Sequence, residues 1–345
     1  MLTYSIVSDG TGLDYKYLQR ILRENGWEEI PVNNLYKHPN PFVDLLWIDA
    51  ETVVKDVWKI KCTMKNLYDN DKIVITNKCK LYENLANFFP EITKKHVPET
   101  FKLKNLNHIQ DGKVYIVRPC GRNFYSGEGI YIITNNDELQ KVKQIYSSEF
   151  IAKRKEFVQK KNQEFDVIVS EYITNTSLLN GYKFHLRMYL LINTFPKYSH
   201  KLWKIGKIIT AREKYASENY ANKLIHDTHM KSTPKNIFFP ENLDGFSEKD
   251  KKYMFQQMEE ITTAIAEIYK RYAKPYPESK AAFEVFGLDF MIDDKLTVKI
   301  IELNDRVGYA PAQGNADKEF KLFSKRYYKW AYKYAIKPIV ENMKQ

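Results

Sequence analysis

The segment Phe283-Glu284-Val285-Phe286-Gly287-Leu288-Asp289-Phe290-Met291-Ile292-Asp293, followed by Ile300-Ile301-Glu302-Leu303-Asn304, decides how this chain is read. Two apolar runs flank a charged turn at Asp293-Asp294-Lys295, the pattern of a β-hairpin. Isolated oxygen-bearing side chains stand among Phe, Ile and Leu. Glu302 and Asn304 lie two apart and share a face, and a hairpin brings Asp289 opposite them. Acids in an apolar setting are rarely left unpaired or uncoordinated. Two carboxylates and an amide converging there suit a hard cation, with Mg²⁺ on a nucleotide phosphate the usual occupant. The competing reading is a surface hairpin with exposed acids.

Working outward, Val114-Tyr115-Ile116-Val117-Arg118-Pro119 reads as a strand ending in a cation. The loop Cys120-Gly121-Arg122-Asn123-Phe124-Tyr125-Ser126-Gly127-Glu128-Gly129 follows, then the strand Ile130–Ile133. Glycines let backbone N–H groups approach phosphate oxygens, so such a unit can fold over a nucleotide; an ordinary hairpin has the same outline. It is neither a P-loop nor a dinucleotide fingerprint, because no helix follows. Lys183, His185 and Arg187 alternate along Phe184–Leu191, which predicts a strand with one wet face. Arg212 stands just past a strand expected over Leu202–Thr210. Arginine suits phosphate or carboxylate, which it clamps through two parallel bonds. In isolation each of these cations is also compatible with surface charge. His226 and His229 are three apart, which is not a metalloprotease spacing, and read as an ordinary polar helix end.

At 345 residues the chain has material for one to three domains. A hydrophobic content of 43% beside 28% charged residues is that of a soluble globular protein. No apolar run approaches the roughly 18–20 residues of a membrane span, and the first residues read as a strand rather than a signal peptide. Cys62, Cys79 and Cys120 stand far apart, form no CxxC or zinc spacing, and suggest a reducing compartment. The net charge of +11 favours acidic partners, although an A/T-rich codon bias also raises lysine content. Lysines and arginines cluster at 153–161 and again from Lys321 to Lys337; a solvated helix face is the alternative for each.

The remaining pattern is βα: strand 1–8, a turn at 9–12, a helix over 13–25 ended by Gly26, and a strand at 44–48. A helix is predicted from about Lys78 to Phe89, a loop at Val97-Pro98-Glu99-Thr100, and a strand over 167–173. Helical segments are expected within 216–230 and 248–271.

In this order the pieces resemble the tubulin tyrosine ligase family of ATP-grasp ligases over nearly the whole chain. Phe283–Asp293 with Ile301–Asn304 carry the resemblance most strongly, then Lys183–Arg187, Ser126–Ile130 and Val97–Phe101. The resemblance implies an α/β (α+β) fold: a small N-terminal βα domain (1–70), an ATP-grasp central domain with the glycine loop (71–175), and a C-terminal domain (176–345), with mixed and antiparallel sheets. It implies that Asp289, Glu302 and Asn304 hold Mg²⁺. Arg118 and Lys78 would contact ATP, with Ser126, Gly127 and Gly129 in a loop above its phosphates. Glu171, Tyr172 and Ile173 would line adenine, and Lys183 and His185 would face the nucleotide. Arg187, Arg212 and Glu302 would form the catalytic set. The implied activity is a ligase joining a free amino acid to an acidic protein acceptor, most naturally tubulin, through an acyl phosphate. A cytoplasmic monomer is implied, in a eukaryotic cell or in a virus-infected host. No membrane or specific nucleic-acid partner is expected.

The chain departs from the family pattern at four places. Arg118 stands for a lysine, His185 for an aspartate, Asp227 for an asparagine, and Asp305-Arg306 for small residues. These departures support a second reading, a catalytically inactive relative that binds tubulin or another acidic partner.

Overall fold

Parallel strands alternating with short helices open the chain. They are β1 (Leu2–Val7), β2 (Trp27–Glu29), β3 (Phe42–Ile48) and β4 (Lys61–Asn66), side by side in the order β4-β3-β1-β2. A computed structural model describes residues 1–8, 15–48, 60–66, 72–120, 129–147, 166–226, 228, 236–239, 243–273, 279–304 and 316–344. Helix Lys16–Glu24 turns Leu18 and Leu22 onto this sheet, and Gly26 closes it at φ +79°, a conformation glycine adopts without a Cβ clash.

A separate four-stranded antiparallel sheet follows, in the order β5-β8-β6-β7. Its strands are β5 (Thr100–Lys102), β6 (Tyr115–Pro119), β7 (Tyr131–Ile133) and β8 (Val167–Glu171). One face packs Tyr115, Val117, Val167 and Val169 against Leu139 and Val142 of helix Asn136–Ser147. Alternation turns Ile116 and Arg118 to the other face.

The remaining strands are β9 (Leu178–Leu179), β10 (Tyr182–Asn193), β11 (Ser199–Leu202), β12 (Gly206–Lys214), β13 (Asn236–Phe239), β14 (Ser279–Ile292) and β15 (Val298–Asn304). They do not form a sheet of their own. β14 pairs in parallel with β4, so one eleven-stranded sheet runs β13-β12-β10-β14-β4-β3-β1-β2, with β15 on β14 and β9 and β11 on β10. The expected boundary at residue 70 is therefore no break in the sheet. The mixed α/β architecture itself is as expected, while 100–171 stands apart as its own sheet.

Both faces of this sheet are covered. Leu186, Leu190, Phe286, Leu288 and Phe290 pack against helix Glu248–Tyr272 through Met254, Met258, Ile261, Ile265 and Ile268. Ser247 and Asp250 start that helix with a capping box, so its first N–H groups are satisfied. On the opposite face Tyr4, Trp47, Tyr189 and Phe283 meet Phe323, Tyr327 and Tyr328 of helix Ala316–Ala331. Among the described residues no helix is long and apolar enough to cross a membrane.

Several local expectations need correction. β10 has no wet face: Lys183 and His185 are buried and Arg187 nearly so, because other elements cover them. The strand expected over Leu202–Thr210 is two, β11 and β12, and Arg212 lies inside β12. The helical segment expected within 216–230 is present, as Lys223–His226. β8 ends at Glu171, leaving Tyr172 and Ile173 beyond the ladder.

Candidate active site

Register, more than proximity in sequence, assembles the site. Asp289 lies directly opposite Glu302 across β14 and β15, and Gly287 opposite Asn304. On the other side of β14, Asp289 faces Arg187 of β10, and Arg187 in turn faces Lys207 of β12. Cross-strand partners share a face, so Lys207, Arg187, Asp289 and Glu302 form one charged row over four strands.

Arg187 clasps Asp289 with two bonds, Nε to Oδ1 and Nη2 to Oδ2, the second at 2.6 Å. Asp289 is 1% exposed and Arg187 13%. Burial works against the guanidinium charge, but the Asp289 carboxylate outweighs it and raises the Arg187 pKa. Burial, reinforced by Arg187, pushes the Lys207 amine down to about 7. His185 sits over the same carboxylate, Nε2 to Oδ1 at 3.7 Å, and its Nδ1 meets the Thr228 hydroxyl at 2.7 Å.

At the other end of the row, Lys78 Nζ reaches Glu302 Oε2 at 2.9 Å from the first position of helix Lys78–Phe88. The Asn304 amide donates to Glu302 Oε1 at 3.1 Å and reaches Asp289 Oδ2 at 3.5 Å. The three expected metal-holding side chains thus converge. Two carboxylates and an amide oxygen, once that amide is turned over, match a hard cation. Among the described residues no group of three His, Cys, Asp or Glu side chains is placed to hold a metal ion.

A slip in the hairpin register adds a feature that no sequence pattern announced. The ladder passes from Asp289–Glu302 to Phe290–Ile300, leaving Ile301 bulged. Its carbonyl is free of the ladder and accepts from Tyr82 Oη at 2.7 Å and Arg118 Nη1 at 3.0 Å. Arg118 also donates to the Tyr82 hydroxyl at 2.7 Å and the Ser170 hydroxyl at 3.1 Å. Its Nε is buried with no hydrogen-bond partner among the described residues. A buried, fixed guanidinium with one unanswered N–H is a donor for an anion.

Arg118 lines a cavity of about 270 Å³ between the two sheets. Its apolar wall includes Ile116, Ile130, Tyr131, Ile132 and Met291; its polar wall includes Lys183, His185, His226, Thr228, Asp289 and Glu302. An apolar slot ending in acids and fixed cations suits a planar ring with a charged tail. Lys183 Nζ donates to the Tyr172 hydroxyl at 2.6 Å and the His226 carbonyl at 3.1 Å, and Tyr172 Oη lies 2.8 Å from His226 Nδ1. Since Tyr172 accepts from the ammonium, its own proton points at Nδ1, so His226 is a neutral acceptor there. Burial and then Lys183 push the His226 pKa down to about 4. Tyr220 lies over the His226 ring, with centroids 5.2 Å apart.

Not every expected residue comes to the cavity. Tyr172 joins through its hydroxyl network, whereas Glu171 pairs with Lys113 at 3.3 Å and Ile173 is absent from the lining. Arg212 is half-buried within the bulge of the β10–β12 ladder, between Thr210 and Lys214, and outside the lining. Gly129 takes φ +73° at the end of the glycine loop. Ser126, Gly127 and the departures at Asp227 and Asp305-Arg306 lie outside the described residues.

Sequence reasoning missed Tyr82, Ser170, Lys207 and Thr228. Lys207 alone left a local signal, a charge in the apolar run Gly206–Ile209. It also missed a disulfide between Cys79 and Cys120, which lie 41 positions apart; Cys62 is buried and forms no disulfide.

The family model of the tubulin-tyrosine ligase family matches residues 49–306. Tubulin polyglutamylase TTLL5 of Mus musculus is 22% identical over 340 residues, covering 88% of this chain and 23% of that protein. Tubulin polyglutamylase TTLL7 of Homo sapiens is 25% identical over 253 residues, covering 65% of this chain and 24% of that one. The probable alpha-tubulin polyglutamylase Ttll1 of Tetrahymena thermophila is 24% identical over 245 residues, covering 65% and 57%. The chain thus spans about a quarter of the length of the first two.

Proposed function

We propose that this chain, which belongs to the tubulin-tyrosine ligase family, is an ATP-dependent ligase that joins the amine of an amino acid to a carboxylate of an acidic protein acceptor. The observation that carries this reading is the convergence of Asp289, Glu302 and Asn304, the first two lining a largely apolar cavity with Arg118 and Lys183, while Arg187 holds Asp289 from the neighbouring strand.

Asp289, Glu302 and the Asn304 amide oxygen would hold Mg²⁺, which offsets phosphate charge when bound. Ile116, Ile130, Tyr131 and Met291 would sandwich the nucleobase, and Arg118 would offer its free Nε–H to a phosphate oxygen. Lys78 would exchange Glu302 for the nucleotide. A carboxylate is a poor electrophile, so the acceptor oxygen first displaces ADP from the γ-phosphorus. The amine then attacks the acyl carbon, phosphate leaves, and the amine proton is lost to solvent. Arg187 is held rigidly by Asp289 and would meet charge that develops during transfer without having to reorganise. Arg212 remains a proposed second guanidinium, and Lys207 stands nearer to Arg187 in the sheet register.

The exposed lysines Lys321, Lys325, Lys329, Lys333 and Lys337 recur every fourth residue from helix Ala316–Ala331 onward, so they form one basic stripe. That stripe suits an acidic acceptor, for which tubulin tails are the first choice. Glutamate is the first amino acid to test, because the relatives TTLL5 and TTLL7 are named polyglutamylases.

The experiment is ADP release from Mg-ATP with purified tubulin and pooled amino acids, beside Glu302→Gln, with mass spectrometry of the tubulin tails. Release that depends on Glu302, together with a tail gaining one amino-acid mass, is the expected result. One observation favours the second reading, a catalytically silent binder. Glu302 is neutralised by Lys78 and Asp289 by Arg187, so the acids are already balanced. Retained tubulin binding with no ADP from either protein would select that reading.

A further inference from the structure

The Cys79–Cys120 disulfide ties together the two chain segments that bring cations to the nucleotide site. Cys79 is the second residue of helix Lys78–Phe88, immediately after the lysine that holds Glu302. Cys120 follows β6 two residues after Arg118 and begins the glycine loop. The same junction is reinforced by Asn77. Its side-chain amide donates to the Cys120 carbonyl at 2.8 Å, while its oxygen caps the helix at Lys80 N.

We propose that Cys79 and Cys120 are a redox modification site, exchanged by low-molecular-weight thiols and disulfides such as the glutathione couple, and that the oxidised pair weakens Mg-ATP binding. The inference rests on the nucleotide site proposed above. Three observations support it. Both half-cystines are nearly buried, yet Cys79 lines a cavity of about 630 Å³ that is distinct from the one lined by Arg118 and is walled by Glu83, Thr93, Lys94 and Lys102. An exchanging thiol therefore has a route that does not cross bound nucleotide. Cys79 stands in the first turn of an eleven-residue helix, between Lys78 and Lys80 in sequence, a setting that favours thiol–disulfide exchange. Finally, Lys78 must leave Glu302 if that carboxylate is to hold a cation. A covalent link at the next residue holds the helix start where the Lys78–Glu302 pair forms.

The exchange is balanced by the thiol couple itself. An external thiolate attacks one sulfur, the Cys79–Cys120 bond breaks, and the other sulfur leaves as a thiolate. A second external thiol resolves the mixed disulfide, so the protein gains two electrons and two protons and the small thiol becomes its disulfide.

The full chain is equilibrated in a series of reduced and oxidised glutathione mixtures. Mg-ATP affinity is measured by calorimetry, and alkylation mass spectrometry reports the state of Cys79, Cys120 and Cys62. The oxidised form is expected to bind Mg-ATP about tenfold more weakly, within the usual range of coupling between sites. Because coupling is reciprocal, saturating Mg-ATP should shift the half-oxidation ratio of the pair toward the dithiol by the same factor. Cys79→Ser and Cys120→Ser should bind like the reduced protein at every ratio, and Cys62→Ser should keep the response. Equal affinity of the two forms, or a pair that stays dithiol across the series, overturns the switch while leaving the nucleotide site standing. No Mg-ATP binding by either form overturns the site and the switch together.

Discussion

Two ion pairs in this molecule use the same chemistry in different mechanical settings. Arg187 and Asp289 sit on neighbouring central strands, doubly bonded, with Asp289 1% exposed. Lys78 and Glu302 join a helix start to an edge strand through one contact, at 23% and 16% exposure. The first pair is buried and fixed in place by the strand register on which both residues stand. The second is a single, partly solvated contact that opens more readily, the more so when the helix start beside it is not tied by the Cys79–Cys120 link. A rigid pair preorganises a site, and a labile one can gate it. The proposed reaction needs both: a guanidinium that does not move, and a carboxylate that can exchange its partner.

The largest expected effect tests rigidity. Arg187→Met should lower unfolding free energy by about 3–5 kcal/mol in urea titration, because a buried carboxylate loses its counter-charge. Lys78→Met should cost about 1 kcal/mol or less by the same titration, since the pair is partly solvated. It should nevertheless weaken Mg-ATP binding about tenfold by calorimetry, through loss of one charged phosphate contact. Equal destabilisation by the two variants would abolish the contrast between them.

The row itself sharpens the comparison. Lys207 adjoins Arg187 and Arg212 does not. Lys207→Met should therefore slow ADP release about fivefold and Arg212→Gln less than about twofold in steady-state assays, as expected if charge near the transfer centre matters. The reverse order would place the second cation at Arg212.

The smallest effect concerns pH. His226 is held neutral down to about 4 by burial and by Lys183, with Tyr172, Tyr215 and Tyr220 around it. An unfolded histidine titrates near about 6.5, so below that pH the unfolded state binds more protons. Stability is full above that value and falls as pH drops toward 4. His96 and His200 are also shifted down by burial and add to the slope. His226→Gln should flatten thermal melting curves recorded from pH 7.5 to 4.5, an effect of about 1 kcal/mol or less after solvent screening. Parallel curves for the variant and the parent would remove His226 from the account.

What could be read in advance was whatever depends on period two. Asp289, Glu302 and Asn304 were assigned to one face from spacing, and their convergence follows from it. Lys183, His185 and Arg187 were likewise placed together, but solvent was wrongly assigned to their face. Alternation fixes which side a residue points to, and says nothing of what covers that side. The same limit explains Arg212, whose neighbours depend on a bulge in the β10–β12 ladder that leaves no trace in local composition.

The amino-acid order was thus enough to specify the acid hairpin, the cation-bearing strand and the family, because those are local patterns in a recurring sequence. Tertiary structure alone decided that β4 joins β14 into one sheet, that bulging frees the Ile301 carbonyl for Tyr82 and Arg118, and that Cys79 meets Cys120. Each of these unites residues tens to hundreds of positions apart. Local propensity carries no information about such contacts; long-range pairing and packing select them once the chain has collapsed.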